Sequence, residues 1–343
     1  MLGIWAQFFG ATIIVVIAGF YLARHADEIA RLTGFGRVWI GLILLATATS
    51  LPELVAGVGS ILVANSPDLA AGDAFGSNVF NLLLISLIIL RPKWGRLLAR
   101  RSRMVGRLAS DGVFLIFLAV VALLISREEI GLPKPVTLIF PFVLLAVYMN
   151  TIYRSFHESE SVTDVDLTAK PYVEIGHEEK LPSARRSWSI YLVSASVVVA
   201  ASLWLVQSAD RVAIELGWSY TFMGSAVMAA STSLPELAVA VAALQMRAPR
   251  LALANLFGSN MFNMGGVLFA DSVATWPDAF FSAVSTEHIT SAVAAIAMTF
   301  MLLNGPLKLG QRSTSKIDQV GIVRALVFVS VLIVANVTVF AAT

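Results

Sequence analysis

The sequence predicts an all-α, polytopic membrane protein with ten transmembrane helices in two inverted five-helix repeats. Three observations carry that prediction: an extreme apolar composition, apolar runs of membrane-spanning length, and polar motifs of the first half that recur in the second. Of 343 residues, 57% are hydrophobic and 13% charged, with mean hydropathy +0.81, whereas soluble domains carry about 25% charged residues. A disordered chain is excluded as well, since it needs low hydrophobicity and high charge. There is no cysteine, which removes disulfides, iron–sulfur clusters and thiolate zinc sites. The 4 histidines, His25, His157, His177 and His288, are too scattered to hold a transition metal.

Crossing about 30 Å of hydrocarbon takes about 20 apolar residues. Ten runs qualify: 4–22, 38–63, 69–90, 108–126, 135–153, 188–209, 217–246, 251–270, 289–307 and 325–342. The first lacks the basic start and small-residue cleavage site of a signal peptide and has a counterpart later in the chain, so it reads as a spanning helix. The second holds Thr49, Ser50, Pro52 and Glu53, and the third holds Asp73, Ser77 and Asn81. The fourth follows a strongly basic loop, for which Asp111 is the expected electrostatic partner. After the fifth comes the longest polar stretch, Arg154 to Ser187, whose mixed charges, Pro and Ser mark a flexible linker. Its Asp164 and Asp166 lack the glycine turn and terminal glutamate of a calcium loop. The sixth opens the second half, the seventh holds Thr232, Ser233, Pro235 and Glu236, the eighth holds Ser259 and Asn263, and the last two close the chain. Trp5, Trp39, Trp188 and Trp218, near run ends, read as interfacial anchors.

Orientation follows from the basic residues. With the N-terminus outside, the inner loops carry 21 of the 24 Lys and Arg, leaving Arg127, Lys134 and Arg211 outside. That is a strong positive-inside asymmetry, with both termini outside and the central linker in the cytoplasm. The expected organisation is a first five-helix repeat at 1–153, a linker at 154–187 and a second repeat at 188–343.

Thr49-Ser50-Leu51-Pro52-Glu53-Leu54 recurs as Thr232-Ser233-Leu234-Pro235-Glu236-Leu237, a shift of 183. The same shift relates Leu22 to Leu205, Ala26-Asp27 to Ala209-Asp210 and Gly41 to Gly224. Phe75-Gly76-Ser77-Asn78-Val79-Phe80-Asn81 matches Phe257-Gly258-Ser259-Asn260-Met261-Phe262-Asn263 at a shift of 182. Five helices per half is an odd number, so the second copy enters the membrane from the opposite side. Inverted repeats of this kind build many secondary transporters, with the substrate site near the bilayer midplane where the copies meet.

The repeated residues are the polar ones, and their chemistry is specific. A buried membrane acid costs about 3 kcal/mol on insertion scales, so Glu53 and Glu236 at matching positions are functional candidates. Pro52 and Pro235 each remove one helical hydrogen bond and free a carbonyl four residues back, that of Ala48 and of Ser231. Thr49 and Glu53 share a helix face, as do Ser77 and Asn81, and Thr232, Ser233, Glu236, Ser259 and Asn263 supply the matching set. All are oxygen donors, which suits hard cations: Ca²⁺ takes about 6–8 oxygens in irregular geometry, while Mg²⁺ demands a strict octahedron. Two carboxylates balance one divalent or two monovalent ions. An emptied, doubly negative site is costly to carry through an apolar barrier, which is the physical basis of obligatory exchange.

The segments Gly41 to Asn81 and Gly224 to Asn263, with their TSLPE and GSNxFN signatures, resemble the two alpha-repeats of the sodium/calcium exchanger family, within the calcium/cation antiporter superfamily. The resemblance implies a prokaryotic cell-membrane antiporter that exchanges Ca²⁺ against Na⁺ by alternating access. It implies an ion-binding core of the second, third, seventh and eighth helices, against which the first and sixth slide. It implies ion ligands at Thr49, Ser50, Glu53, Ser77, Asn81, Thr232, Ser233, Glu236, Ser259 and Asn263, with backbone carbonyls of Ala46 and Ala229 as weaker additions. The partners implied are Ca²⁺, Na⁺ and the lipid bilayer, with no resident cofactor, no nucleic acid, no obligate protein partner and no enzymatic activity. One departure concerns Asn263, where several members, including the potassium-requiring branch, carry aspartate; asparagine keeps an acceptor oxygen but cannot ionise. A Ca²⁺/H⁺ antiporter and a cation channel are the rival readings. Asp73, whose counterpart is Asn255, reads equally as a cation-attracting acid of an outer vestibule or as a solvated interfacial acid.

Overall fold

The computed structural model describes residues 2–63, 65–89, 94, 98, 103–127, 130, 133–161, 183–215 and 229–304, and all regular structure among them is helical. In chain order the long helices are α1 (Leu2–Thr33), α2 (Arg37–Leu62), α3 (Pro67–Ile89), α4 (Arg103–Ile125), α5 (Phe140–Ser161) and α6 (Ala184–Glu215), with single turns at Lys134–Thr137 and Phe280–Ala283 besides. Then come α7 (Ala229–Thr232 and Leu234–Gln245), α8 (Pro249–Phe262, a π turn at Asn263–Val267, then Leu268–Ala274) and α9 (His288–Asn304). Each of the first nine apolar runs holds one of these helices; run 325–342, residues 217–228 with Trp218 and Gly224, and most of the linker lie outside the described residues.

The chain is a multi-pass membrane protein, and its burial pattern is that of one. α1 turns Phe9, Ile13 and Ile17 outward at 56%, 59% and 54% exposure, a lipid-facing stripe at intervals of four, while the side chains of Thr49, Glu53 and Glu236 inside are 0% exposed. Five described helices are long and apolar enough to span a bilayer: Gly3–Thr33, Arg37–Leu62, Pro67–Ile89, Val105–Ile125 and Ala184–Ser208.

Several helices run further than hydropathy predicts. α1 continues eleven residues past 22 to Thr33, and α6 extends to Ala184–Glu215, so that α5 and α6 both reach into the range 154–187. A hydropathy window stops at the first charges, but the backbone keeps its helical bonds wherever the charges are paired. On α1 the carboxylate of Asp27, 3% exposed, accepts from Arg31 at 2.8 Å and from Arg37 at 2.6 Å, which ties the end of α1 to the start of α2. Charge-assisted bonds are worth about 1.5–3 kcal/mol, and because the Arg31 side chain is 49% exposed the lower end applies here. Asp27→Ala is therefore expected to lower the thermal stability of the detergent-purified protein by about 1–2 kcal/mol, read from loss of the monodisperse peak after heating.

Packing among the described helices places α2, α3, α7 and α8 at the centre. α8 lies across α2, α3 and α4, the first turn of α7 packs on α3, and α9 covers α3 and α4. α1 and α6 lie side by side, the most extensive helix pair described, with α1 also against α7 and α6 against α2. Buried positions of this pair are largely small, Ala11, Ala18, Ala23 and Ala26 on α1 and Ser194, Ala201 and Ser202 on α6. Small residues let membrane helices approach closely where no hydrophobic effect drives them together.

Candidate functional site

Both proline-bearing helices are interrupted at the serine of the repeated motif. Ser50 (φ −94°, ψ 6°) separates Ala46–Thr49 from Leu51–Leu62, and Ser233 (φ −83°, ψ 3°) separates Ala229–Thr232 from Leu234–Gln245. These are bridge-region conformations, sparsely populated in ordinary helices. The proline in each second segment sits in its first turn, where its missing N–H and fixed φ are tolerated. α2 also carries a π turn at Gly41–Leu45, and the Leu44 carbonyl in it accepts from the Tyr191 hydroxyl of α6 at 2.7 Å. The α8 π turn begins at Asn263; such turns are rare and concentrate at functional sites.

The structure brings the sequence-derived residues together. Thr49, Ser50, Glu53, Ser77, Asn81, Thr232, Ser233, Glu236, Ser259 and Asn263 are all 0% exposed, and bonds link the two halves through them. Oε1 of Glu236 accepts from Ser50 of α2 and from Ser259 of α8, both at 3.1 Å. Other bonds come as mates related by exchange of halves. Thr49 meets Ser259 at 3.4 Å as Thr232 meets Ser77 at 3.2 Å, and Thr49 donates to Asn255 at 3.4 Å as Thr232 donates to Asp73 at 3.1 Å. The carbonyls of Ala46 and Ala229 accept from Ser50 N and Ser233 N in the turns that precede the breaks.

Several oxygens are left over. Both carboxylate oxygens of Glu53, Oε2 of Glu236, Oγ of Ser233 and the amide oxygens of Asn81 and Asn263 are buried without a hydrogen-bond partner. Buried polar atoms are almost always paired, so a cluster of unpaired acceptors is a site prepared for something positive. Like-charge repulsion acts among Glu53, Glu236 and Asp73. Among the described residues no three carboxylate or imidazole groups converge as a metal cluster; the donor set is mixed, chiefly hydroxyl and amide oxygen, which suits hard cations.

The structure corrects the reading of Asp73 and adds residues to the site. Asp73 is 0% exposed and bonded to Thr232, so it lies against the site and is not a solvated interfacial acid. Asn78 and Asn260, repeated letters of the second motif, lock α3 to α8: Asn81 Nδ2 donates to Asn260 Oδ1 at 3.0 Å, and Asn263 Nδ2 to Asn78 Oδ1 at 3.3 Å. Asp271, also 0% exposed, has no counterpart in the first half and escapes any reading by symmetry. Asp111 is acted on by Arg154 and Thr151 of α5 and by Arg107, and of these only Arg107 belongs to the basic stretch expected to pair with it.

The family model of the sodium/calcium exchanger protein matches residues 3–156 and 186–341. The inner membrane protein YrbG of Escherichia coli is 28% identical over 309 residues, 85% of each chain. The sodium/calcium exchanger MaX1 of Methanosarcina acetivorans is 22% identical over 325 residues, 84% of this chain and 88% of its own. Among solved structures, the sodium-calcium exchanger NCX_Mj superposes with a TM-score of 0.66 at 20% identity, covering 98% of both chains, which shows a shared fold. The interleaved core, the buried oxygen cluster and a family match over both halves converge on one conclusion: the chain belongs to the sodium/calcium exchanger family and is a membrane cation antiporter.

Proposed function

We propose that this antiporter exchanges Ca²⁺ against Na⁺, with Ca²⁺ moving outward as Na⁺ enters, through one site alternately open to either side of the membrane. The observation that carries the reading is the full burial of ten oxygen-bearing side chains from both halves, Glu53 and Glu236 among them, tied across the halves by hydrogen bonds and with acceptor oxygens left unpaired. Thr49, Ser50, Glu53, Ser77 and Asn81 are the ligands from one half, and Thr232, Ser233, Glu236, Ser259 and Asn263 those from the other. Two carboxylates balance one Ca²⁺ or two Na⁺, so either load crosses as a near-neutral unit while the emptied site does not. Asn263 adds an acceptor and no further charge, which favours Na⁺ coupling over the potassium-requiring branch.

The hydrogen-bond mates across the halves support an inverted pair of five-helix repeats, 1–153 and 188–343, joined by a linker at 154–187. The basic residues support an N-terminus and C-terminus outside and the linker in the cytoplasm. α1 and α6, packed on each other and on the smooth backs of α7 and α2, are the pair that shifts against the core.

The test is flux in proteoliposomes with one imposed gradient at a time. Ca²⁺ uptake is expected only against an outward Na⁺ gradient, with K⁺ and pH gradients giving no more than the leak. Uptake driven by pH alone would make the coupling ion a proton, and Ca²⁺ flux with no counter-ion would make the protein a channel.

A further inference from the structure

A second pair of buried acids lies beside this site, and it exists at one end only. On α2, Gly57 follows Glu53 by one turn and shares its face. The backbone of Gly57 is pressed against Asp271 of α8: a Cβ there would come within 2.6 Å of Oδ1 and 3.0 Å of Oδ2. The Asp271 carboxylate therefore packs on α2 one helical turn past the position of Glu53. Asp73 is displaced from Ser77 on α3 by the same single turn and toward the same end, since the Leu62 end of α2 and the Pro67 end of α3 adjoin, with Ser66 N donating to Ser60 O at 3.0 Å. The last segment of α8, which carries Asp271, packs on both α2 and α3. Both oxygens of Asp271 and Oδ2 of Asp73 are buried without a hydrogen-bond partner.

At the opposite end the pair is missing. The repeat shift puts Asn255 in the place of Asp73, Ile89 in that of Asp271 and Ala240 in that of Gly57. Glycine at 57 leaves room for a carboxylate against the helix, and a methyl at the equivalent position closes that room.

We propose that Asp271 and Asp73 form a second divalent-cation station, one turn from Glu53 toward the Leu62 end of α2, which serves only one of the two access paths. The proposal rests on the assignment of Glu53 and Glu236 as the central ligands. Three carboxylate oxygens fall short of the 6–8 that Ca²⁺ takes, so the ion keeps part of its water and binds weakly, with Kd about 10⁻⁴–10⁻³ M. A weakly held ion is what a passing station needs: enough attraction to draw the cation in, too little to trap it.

The experiment uses the full-length chain with Glu53→Gln and Glu236→Gln combined and Ca²⁺ as the only probe, with radioactive Ca²⁺ measured by equilibrium dialysis in detergent. One weak Ca²⁺ per chain is expected to remain, and adding Asp271→Asn is expected to weaken it at least about tenfold, or about 1.4 kcal/mol. Gly57→Ala, which pushes the carboxylate away and leaves every acid in place, is expected to weaken it as well and carries the test if the asparagine variant does not fold. Absence of any residual ion, or a residual ion indifferent to both changes, overturns the station. Absence of Na⁺-driven Ca²⁺ flux in the unaltered protein would overturn the proposed function instead, so the two failures are told apart.

Discussion

Replacing either Glu53 or Glu236 with glutamine is expected to reduce Na⁺-driven Ca²⁺ flux to the background of empty vesicles. Glutamine keeps the length of the side chain and one acceptor oxygen, so what it removes is charge. A site left with one carboxylate cannot neutralise a divalent ion in an environment where unbalanced charge is expensive, and losing one member of a buried charge pair costs about 2–5 kcal/mol. At about 1.4 kcal/mol per decade this is at least about thirtyfold in ion affinity, before the added difficulty of moving an unbalanced load. Folding has no reason to suffer. Neither carboxylate oxygen of Glu53 has a partner at full hydrogen-bond geometry, and the amide oxygen of Glu53→Gln keeps the acceptor that faces Thr232. In Glu236→Gln the amide oxygen still accepts from Ser50 and Ser259. The check is flux together with thermal stability on the same preparations: stability at or above that of the unaltered protein with flux gone. Flux that persists in either variant would remove the two glutamates from the transport site.

The helices were legible because membrane-spanning length and apolarity are properties of contiguous sequence. What hydropathy could not supply was their ends. α1 runs on to Thr33 with Asp27 shared between Arg31 and Arg37, a bridge made by residues up to ten apart that a window average reads as a loop. The π turns at Gly41–Leu45 and Asn263–Val267 were also invisible, since a one-residue insertion in the bonding pattern leaves composition and periodicity nearly unchanged.

At the site, repetition was the signal, and it found what both halves share. Thr49, Glu53, Ser77 and their mates stand out because membrane acids and hydroxyls are costly and these occur twice. Asn78 and Asn260 carry the same signal, but they lie one position off the face defined by Ser77 and Asn81, so helical spacing set them aside. In the folded chain they point across the α3–α8 contact and hold the ligand-bearing amides of Asn81 and Asn263 in place. The depth of Asp73 stayed open in the sequence because it depends on Thr232, 159 residues away. Asp271 has no mate at all, and only its packing on Gly57 marks it.

Gly258→Val is expected to disable the protein by a route that touches no ion ligand directly. Gly258 precedes Ser259 on α8 where that helix crosses α2, and a Cβ there would meet Ala46 Cβ at 2.9 Å, Leu42 Cδ1 at 3.1 Å and Leu42 Cα at 3.2 Å. The last is backbone and cannot rotate away. The crossing is tight from the other side too, since a Cβ on Gly41 would lie 2.9 Å from the Leu251 carbonyl oxygen. Overpacking of this kind costs about 1–3 kcal/mol when neighbours yield, and yielding here means α8 moving off α2. That separation would pull Ser259 and Asn255 from Thr49, two of the bonds by which the two halves share one site. The expected outcome is a clear drop in the thermal stability of the purified protein and at least about tenfold less exchange, the change that 1.4 kcal/mol brings. Gly59→Val supplies the matched control, because Gly59 lies on the same helix as Glu53 with nothing within 4 Å of its Cβ position. It adds the same side chain facing open space, and both stability and flux are expected to stay close to those of the unaltered protein. If the two valines behaved alike, close apposition of α2 and α8 would not be what holds the oxygen donors in register.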